Sequence, residues 1–167
     1  THVSYSVYED GQPSLDSLLA NPRLLAQLTH FLFHCNVPLH RLHPLLQHLT
    51  SVKVLDILSY WTITTDNLVA LSRLPRLTEL YLSNFKIDLS ILDQARLEPF
   101  PGVRVLRLSY LVIRGFRHGR YNVIMANFCR LLSFLFPVVQ ELYCDMRLPS
   151  VDITPHLNLF SNLRKHK

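Results

Sequence analysis

Glycine is scarce in this chain, with 4 among 167 residues. Charge is thin as well, at 17% of residues against 49% hydrophobic. Collagen-like, low-complexity and disordered classes are thereby excluded. Only three cysteines occur: Cys35, Cys129 and Cys144. An odd, widely spaced set is no disulfide framework, and each apolar context suits a small buried hydrophobe. There is no Asn-x-Ser/Thr sequon, so a reducing compartment, cytosol or nucleus, is favoured over secretion. No apolar run approaches the ~20 residues that span a bilayer. The longest, Leu131 to Val139, is broken by Ser133 and Pro137, so no membrane partner is expected. Signal-peptide and lipidation motifs are missing too. The chain opens at Thr1 rather than Met, which leaves open whether an N-terminal segment precedes it.

Catalytic signatures are equally sparse. No G-x-S-x-G, HExxH, Walker or dinucleotide spacing is present. Carboxylates such as Glu79 and Glu141 are not gathered by a glycine-bounded loop. The expectation is a chain that is not an enzyme and takes no cofactor and no metal. His30 and His34 lie one helical turn apart beside Cys35, a spacing that begins some metal sites. No second ligand pair follows, so a polar helix face is the preferred reading.

What is present amounts to about one domain by length. A chain of roughly 150 residues buries about 70% of its extended surface, enough for a sizeable core. Mean hydropathy is +0.16, which hints at covered interfaces. Net charge is +5 from 17 basic and 12 acidic side chains. That permits an acidic partner or nucleic acid without demanding either.

The informative feature is an internal repeat. Val52-Lys-Val-Leu55-Asp-Ile57 aligns with Leu77-Thr-Glu-Leu80-Tyr-Leu82, with Val103-Arg-Val-Leu106-Arg-Leu108 and with Val139-Gln-Glu-Leu142-Tyr-Cys144. The starts are 25, 26 and 36 residues apart. Leu74-Pro75, Phe100-Pro101 and Phe136-Pro137 lead into three copies, and Phe160-Ser-Asn-Leu163 opens a fifth. Alternate residues of each x-x-L-x-L core point inward as strands do. Between them the pattern predicts helices: one from a Thr65 or Asp66 cap to Arg73, one from an Asp88 cap over Leu89–Arg96, one over Asn122–Phe136, and a start at Thr154-Pro155.

On these motifs, residues 49–163 resemble a leucine-rich repeat array, closest in kind to the intracellular repeats of F-box substrate receptors. The resemblance implies an α/β solenoid, with a short parallel sheet on its concave face, helices on its convex face, and a helical N-terminal cap. It departs from the family pattern at the ninth motif position, where Tyr60, Phe85, Leu111 and Arg147 replace Asn or Cys. Residues 51–167 are read as the repeats, about four with a fifth incomplete. Residues 1–50 are read as a helical cap or diverged repeat, with helices over Ser14–Ala20, Pro22–Phe33 and Pro38–Leu49. Asn21-Pro22-Arg-Leu24-Leu25 loosely resembles the start of an F-box, whose later Val-Cys and Trp positions are missing.

If Leu80 and Leu82 point inward, then Val54, Asp56 and Leu58 face out, as do Glu79, Tyr81, Ser83, Val105, Arg107, Ser109, Glu141, Tyr143 and Asp145. Asp56, Tyr81, Arg107 and Tyr143 form the central column. Tyr and Arg dominate binding hot spots, although strand faces favour Tyr in any case. Trp61, with Tyr60 and Tyr110, either rims this face or packs within the turns. The candidate partner-binding set is therefore Asp56, Trp61, Glu79, Tyr81, Arg107, Tyr143 and Asp145. A second feature is the basic loop with Arg114, Arg117 and Arg120 around Gly115 and Gly119. It is either a solvated insertion or a contact for phosphate or an acidic peptide.

The expected function is protein–protein recognition by a scaffold within a larger complex, and the resemblance implies a substrate-receptor part of a ubiquitin ligase. The alternative is a nucleic-acid-binding or RNA-processing accessory subunit using the Arg114–Arg120 loop. A purely structural piece of an assembly is a third reading. At the C-terminal end, Arg164-Lys-His-Lys167 is expected to leave the edge around Leu142 and Cys144 without a stacking neighbour, open to another chain.

Overall fold

The computed structural model describes residues 15–34, 42–60, 62–114, 121–146 and 153–166. In chain order the elements are α1 (Leu15–Leu19), α2 (Pro22–Gln27), β1 (His30–His34), α3 (His43–Leu46), β2 (Val54–Leu58), β3 (Thr62–Ile63), α4 (Thr65–Ser72), β4 (Glu79–Ser83), β5 (Lys86–Asp88), β6 (Val105–Arg114), α5 (Tyr121–Leu135), β7 (Glu141–Met146) and β8 (Lys165–His166). Short 3-10 turns lie at Gln94–Arg96 and Thr154–Leu159. The architecture is α/β, a curled parallel sheet with helices.

Strands β1, β2, β4, β6, β7 and β8 lie side by side, each parallel to the next and in chain order. A shorter parallel row joins β3, β5 and the last residues of β6, so β6 serves both rows. Register follows the internal repeat residue for residue: Leu55, Leu80, Leu106 and Leu142 share one line across the sheet. The backbone repeats with them. The carbonyls of Thr29, Lys53, Thr78, Arg104 and Gln140 each accept two amide N–H groups from the residues entering the next strand, at 2.8–3.2 Å. Each strand start is thus tied to its neighbour in one way, which satisfies backbone groups a loop would otherwise leave buried and unpaired.

The lead-in residues Leu74, Phe100, Phe136 and Phe160 are all buried. The rings of Phe100 and Phe136, equivalent in consecutive copies, stack with centroids 4.6 Å apart. Gly102 follows Pro101 because nothing larger fits: a Cβ there would lie 2.7 Å from the Leu77 carbonyl oxygen. The core is continuous, running from Leu25 and Phe33 through the inward strand leucines to Phe128 and Leu132 of α5. Helix α5 matches its expected span to within one residue at each end.

Several sequence expectations are corrected. Pro22–Phe33 is not one helix. It stops at Gln27, and His30–His34 forms β1 against β2. Leucines spaced three and four apart suggested a helix, but buried Phe31 and Phe33 alternate with half-buried His30, Leu32 and His34, which is a strand period. The helix expected over Pro38–Leu49 is short, His43–Leu46, with 35–41 outside the described residues. Thr64, not Thr65 or Asp66, caps α4, in a capping box with Asn67. Asp88 ends β5 instead of starting a helix, and its carboxylate accepts from the Ser90 N–H at 3.0 Å and hydroxyl at 2.6 Å. Of the ninth-position residues, Phe85 and Leu111 are buried and Tyr60 is exposed, while Arg147 lies outside the described residues. The C-terminal edge is not bare at Leu142, which is buried and pairs with His166 in β8.

Candidate functional site

On β1, β2, β4 and β6, alternation buries one set of side chains and leaves the other facing outward. The outward set holds Asp56 on β2, Tyr81 on β4, Arg107 on β6 and Tyr143 on β7, in register across four adjacent strands. Neighbouring strands lie ~4.8 Å apart. Side chains in one row therefore stack at nearly van der Waals distance. The Arg107 guanidinium carbon lies 4.7 Å from the Tyr81 ring centroid and 4.7 Å from that of Tyr143, so the cation is held between two aromatic faces.

Both tyrosines are themselves held. The Tyr81 hydroxyl donates to Glu79 Oε2. The Tyr143 hydroxyl donates to Glu141 Oε2 at 3.0 Å. Residues two apart on a strand share a face, so each Glu-Leu-Tyr string is a built-in clamp. Lys165 on β8, in register with Glu141, lies beside the row, with Nζ 3.7 Å from Glu141 Oε2 and 5.5 Å from the Tyr143 ring centroid. Arg107 lies over a ring on either neighbouring strand and is itself exposed. Among the described residues it makes no hydrogen bond or ion pair, so its N–H edges remain available.

The electrostatics are mixed. Asp56, Glu79 and Glu141 face Arg107 and Lys165, an acidic excess of one, with His30 and His34 at the β1 end. Burial raises the Asp56 carboxyl above its ordinary range, opposed by the charges of His34 and Arg107. Burial first, then the hydrogen bond to Glu79, push the Tyr81 phenol up to about 12, so it stays a donor at neutral pH.

Asp56, Tyr81, Arg107 and Tyr143 thus come together as one row, with Glu79 and Glu141 in the adjoining row. Asp145 is exposed but falls where the β6–β7 register shifts, between Leu108 and Leu111, and is not part of the row. Arg114 sits on the second, shorter row opposite Asp88 and apart from the tyrosines. Trp61, Arg117 and Arg120 lie outside the described residues. Tyr60 and Tyr110 are exposed rather than packed within their turns. Lys165 escaped the sequence reading because the chain end was taken to contribute nothing to the sheet. The Glu-Leu-Tyr clamps were also missed, although the string stands twice, at 79–81 and 141–143.

Elsewhere the chemistry is quieter. On the helix side a cleft is lined by His43, Asp66, Arg73 and Arg96. Its cations are engaged, Arg96 with Asp66 at 2.6 Å and Arg73 with Glu98 at 3.2 Å. Among the described residues no group of three or more His, Cys, Asp or Glu is placed to hold a metal ion. His30 and His34 belong to a strand, so the helical spacing considered for a metal does not exist. Burial pushes the Cys129 thiol up to about 11 and that of Cys144 to about 12, which leaves neither as a thiolate at neutral pH. Among the described residues no helix is long and apolar enough to cross a membrane. Comparison with protein-family models, with curated proteins and with solved structures finds no match for this chain.

Proposed function

We propose that this chain is a leucine-rich repeat array that works as a non-catalytic protein-recognition module, with the outward face of its parallel sheet as the binding surface. The repeat reading is supported by strands in chain order, by offsets that match the internal repeat, and by the five equivalent carbonyl contacts at the strand entries. The observation that carries the functional reading is the Tyr81–Arg107–Tyr143 stack with its Glu clamps. Hot spots are commonly Tyr and Arg anchors, and ordering them beforehand lowers the entropic cost of binding. A role as substrate receptor in a ubiquitin ligase is the assembly we favour, on the resemblance to F-box receptor repeats alone.

The test is a peptide-display selection on the folded chain, counter-selected on the triple variant Tyr81→Ala, Arg107→Ala, Tyr143→Ala. Peptides that hold the parent and lose at least about tenfold on the triple variant are expected. Peptides that bind both alike would move recognition to another surface. The nucleic-acid reading has only Arg114 of its three arginines among the described residues, opposite Asp88. It predicts affinity for a mixed-sequence RNA that falls steeply with salt. The sheet face, with its acidic excess, does not suit a polyphosphate chain.

A further inference from the structure

Arg107 is held by its neighbours in the row and is itself exposed. Its guanidinium carbon lies over both the Tyr81 and the Tyr143 ring, 4.7 Å from each centroid, so the head group is confined within the row. Among the described residues its donors are not consumed: Glu79 and Glu141 accept from the tyrosines, and Glu141 also pairs with Lys165. Two carboxylates of this face are thus engaged with other groups, and Asp56 acts on Arg107 through its charge alone. A guanidinium confined between two rings still has its N–H donors to offer, a fork matched to a planar two-oxygen acceptor.

We infer that Arg107 is the seat for a carboxylate of the partner, an Asp or Glu side chain taken bidentately at the centre of the sheet face. The inference rests on the recognition reading above and names what that face recognises. Carboxylate is favoured over phosphate by the surroundings. Asp56, Glu79 and Glu141 share this face against Arg107 and Lys165, so its acidic excess of one adds no attraction for a second negative charge. Half-buried Asp56, one strand beyond Tyr81, offers an acceptor to a neighbouring N–H of the same partner segment.

The probe is N-acetylglutamate amide, titrated at constant ionic strength while NMR follows the Arg107 Nε–H resonance. The glutamine analogue is the neutral control and inorganic phosphate the competing anion. A saturable shift with the glutamate probe is expected, with none from the glutamine analogue and weaker binding of phosphate. Arg107→Lys keeps the charge but loses the fork, and should bind the probe about tenfold more weakly with its melting unchanged. Tyr81→Leu with Tyr143→Leu should weaken the probe too, since the guanidinium is then no longer confined within the row. A resonance that stays still, one that moves equally with the glutamine analogue, or tighter binding of phosphate overturns the inference. The two proposals fail separately. Displayed peptides that need the sheet face but carry no Asp or Glu sink the carboxylate seat and leave recognition standing. A probe that saturates Arg107 while no peptide distinguishes the triple variant does the reverse.

Discussion

The two faces of strands β4, β6 and β7 are built from the same backbone under opposite rules. Facing in, Leu80, Leu106 and Leu142 are near repeats of one another, each buried to within 1%. Facing out, the same strands carry Tyr81, Arg107 and Tyr143, and Glu79, Val105 and Glu141. The inner face must fill a fixed distance between sheet and helices at close packing, which tolerates little variation. The outer face answers only to solvent and to its lateral neighbours, so it is free to specialise. Repetition therefore marks what the fold needs, and departure from repetition marks what this molecule adds.

The comparison breaks most sharply on the inner face. Leu106→Ala should destabilise the chain by about 2–5 kcal/mol, from lost transfer energy and the cavity left behind, with Leu80→Ala close to it. Thermal melts of both variants measure this. Parent-like stability would mean that the face taken as core is not core.

Next in size is Gly102→Ala. The added methyl meets the Leu77 carbonyl oxygen, a backbone atom that cannot swing aside, so the strand entry must shift. A cost of about 1–3 kcal/mol is expected, typical of overpacking. Loss of amide-exchange protection should centre on Arg104 and Val105, whose N–H groups donate to the Thr78 carbonyl.

On the outer face the effects shrink. Arg107→Ala removes two ring contacts at a solvent-exposed site, each worth about 0.5–1 kcal/mol. Total destabilisation near 1 kcal/mol is expected, and a double-mutant cycle with Tyr143→Ala should show coupling. A fully additive pair would mean that the stack contributes nothing to the folded state.

Asp56 supplies a test in pH. Burial raises its folded pKa above the unfolded value. Its contribution to stability is therefore full in acid, below the unfolded pKa, and is lost as pH rises through the folded one. Asp56→Asn should accordingly be the more stable chain at neutral pH, with the gain vanishing below the carboxylate range. A gain that grows in acid would reverse the assignment.

How much of this was legible beforehand follows the same division. Strands over 54–58, 79–83, 105–109 and 141–146 were readable because alternation and the repeat reinforce each other. The central row was readable with them, since aligned copies become adjacent strands. Residues 22–34 misled because Leu24, Leu25 and Leu28 have helical spacing, and the switch of period to Phe31 and Phe33 is only two residues long. The end of the chain misled because β8 contributes backbone pairing and Lys165 rather than leucines, and ladder pairing leaves no trace in hydropathy. The Arg107 stack needed the structure for its geometry, since register shows that three side chains are neighbours but not that the guanidinium lies over both rings.

The smallest effect tests where the outer face ends. Ser83 and Ser109 are partners in register, so Asn84 and Tyr110 are equivalent bends at which the chain leaves the main row for the shorter one. Both have positive φ, 62° at Asn84 and 55° at Tyr110. Asn visits that left-handed region readily, whereas for Tyr the crowding of Cβ is costly. Tyr110 is also half exposed, so its ring recovers little burial energy. Tyr110→Asn makes the second bend resemble the first and should stabilise the chain by about 0.5–1 kcal/mol, read as a rise in melting temperature. Destabilisation instead would show that contacts of the Tyr110 ring outweigh the backbone strain. The same variant reports on the rim. Displayed peptides that hold equally to Tyr110→Asn and to the parent confine recognition to the row around Arg107.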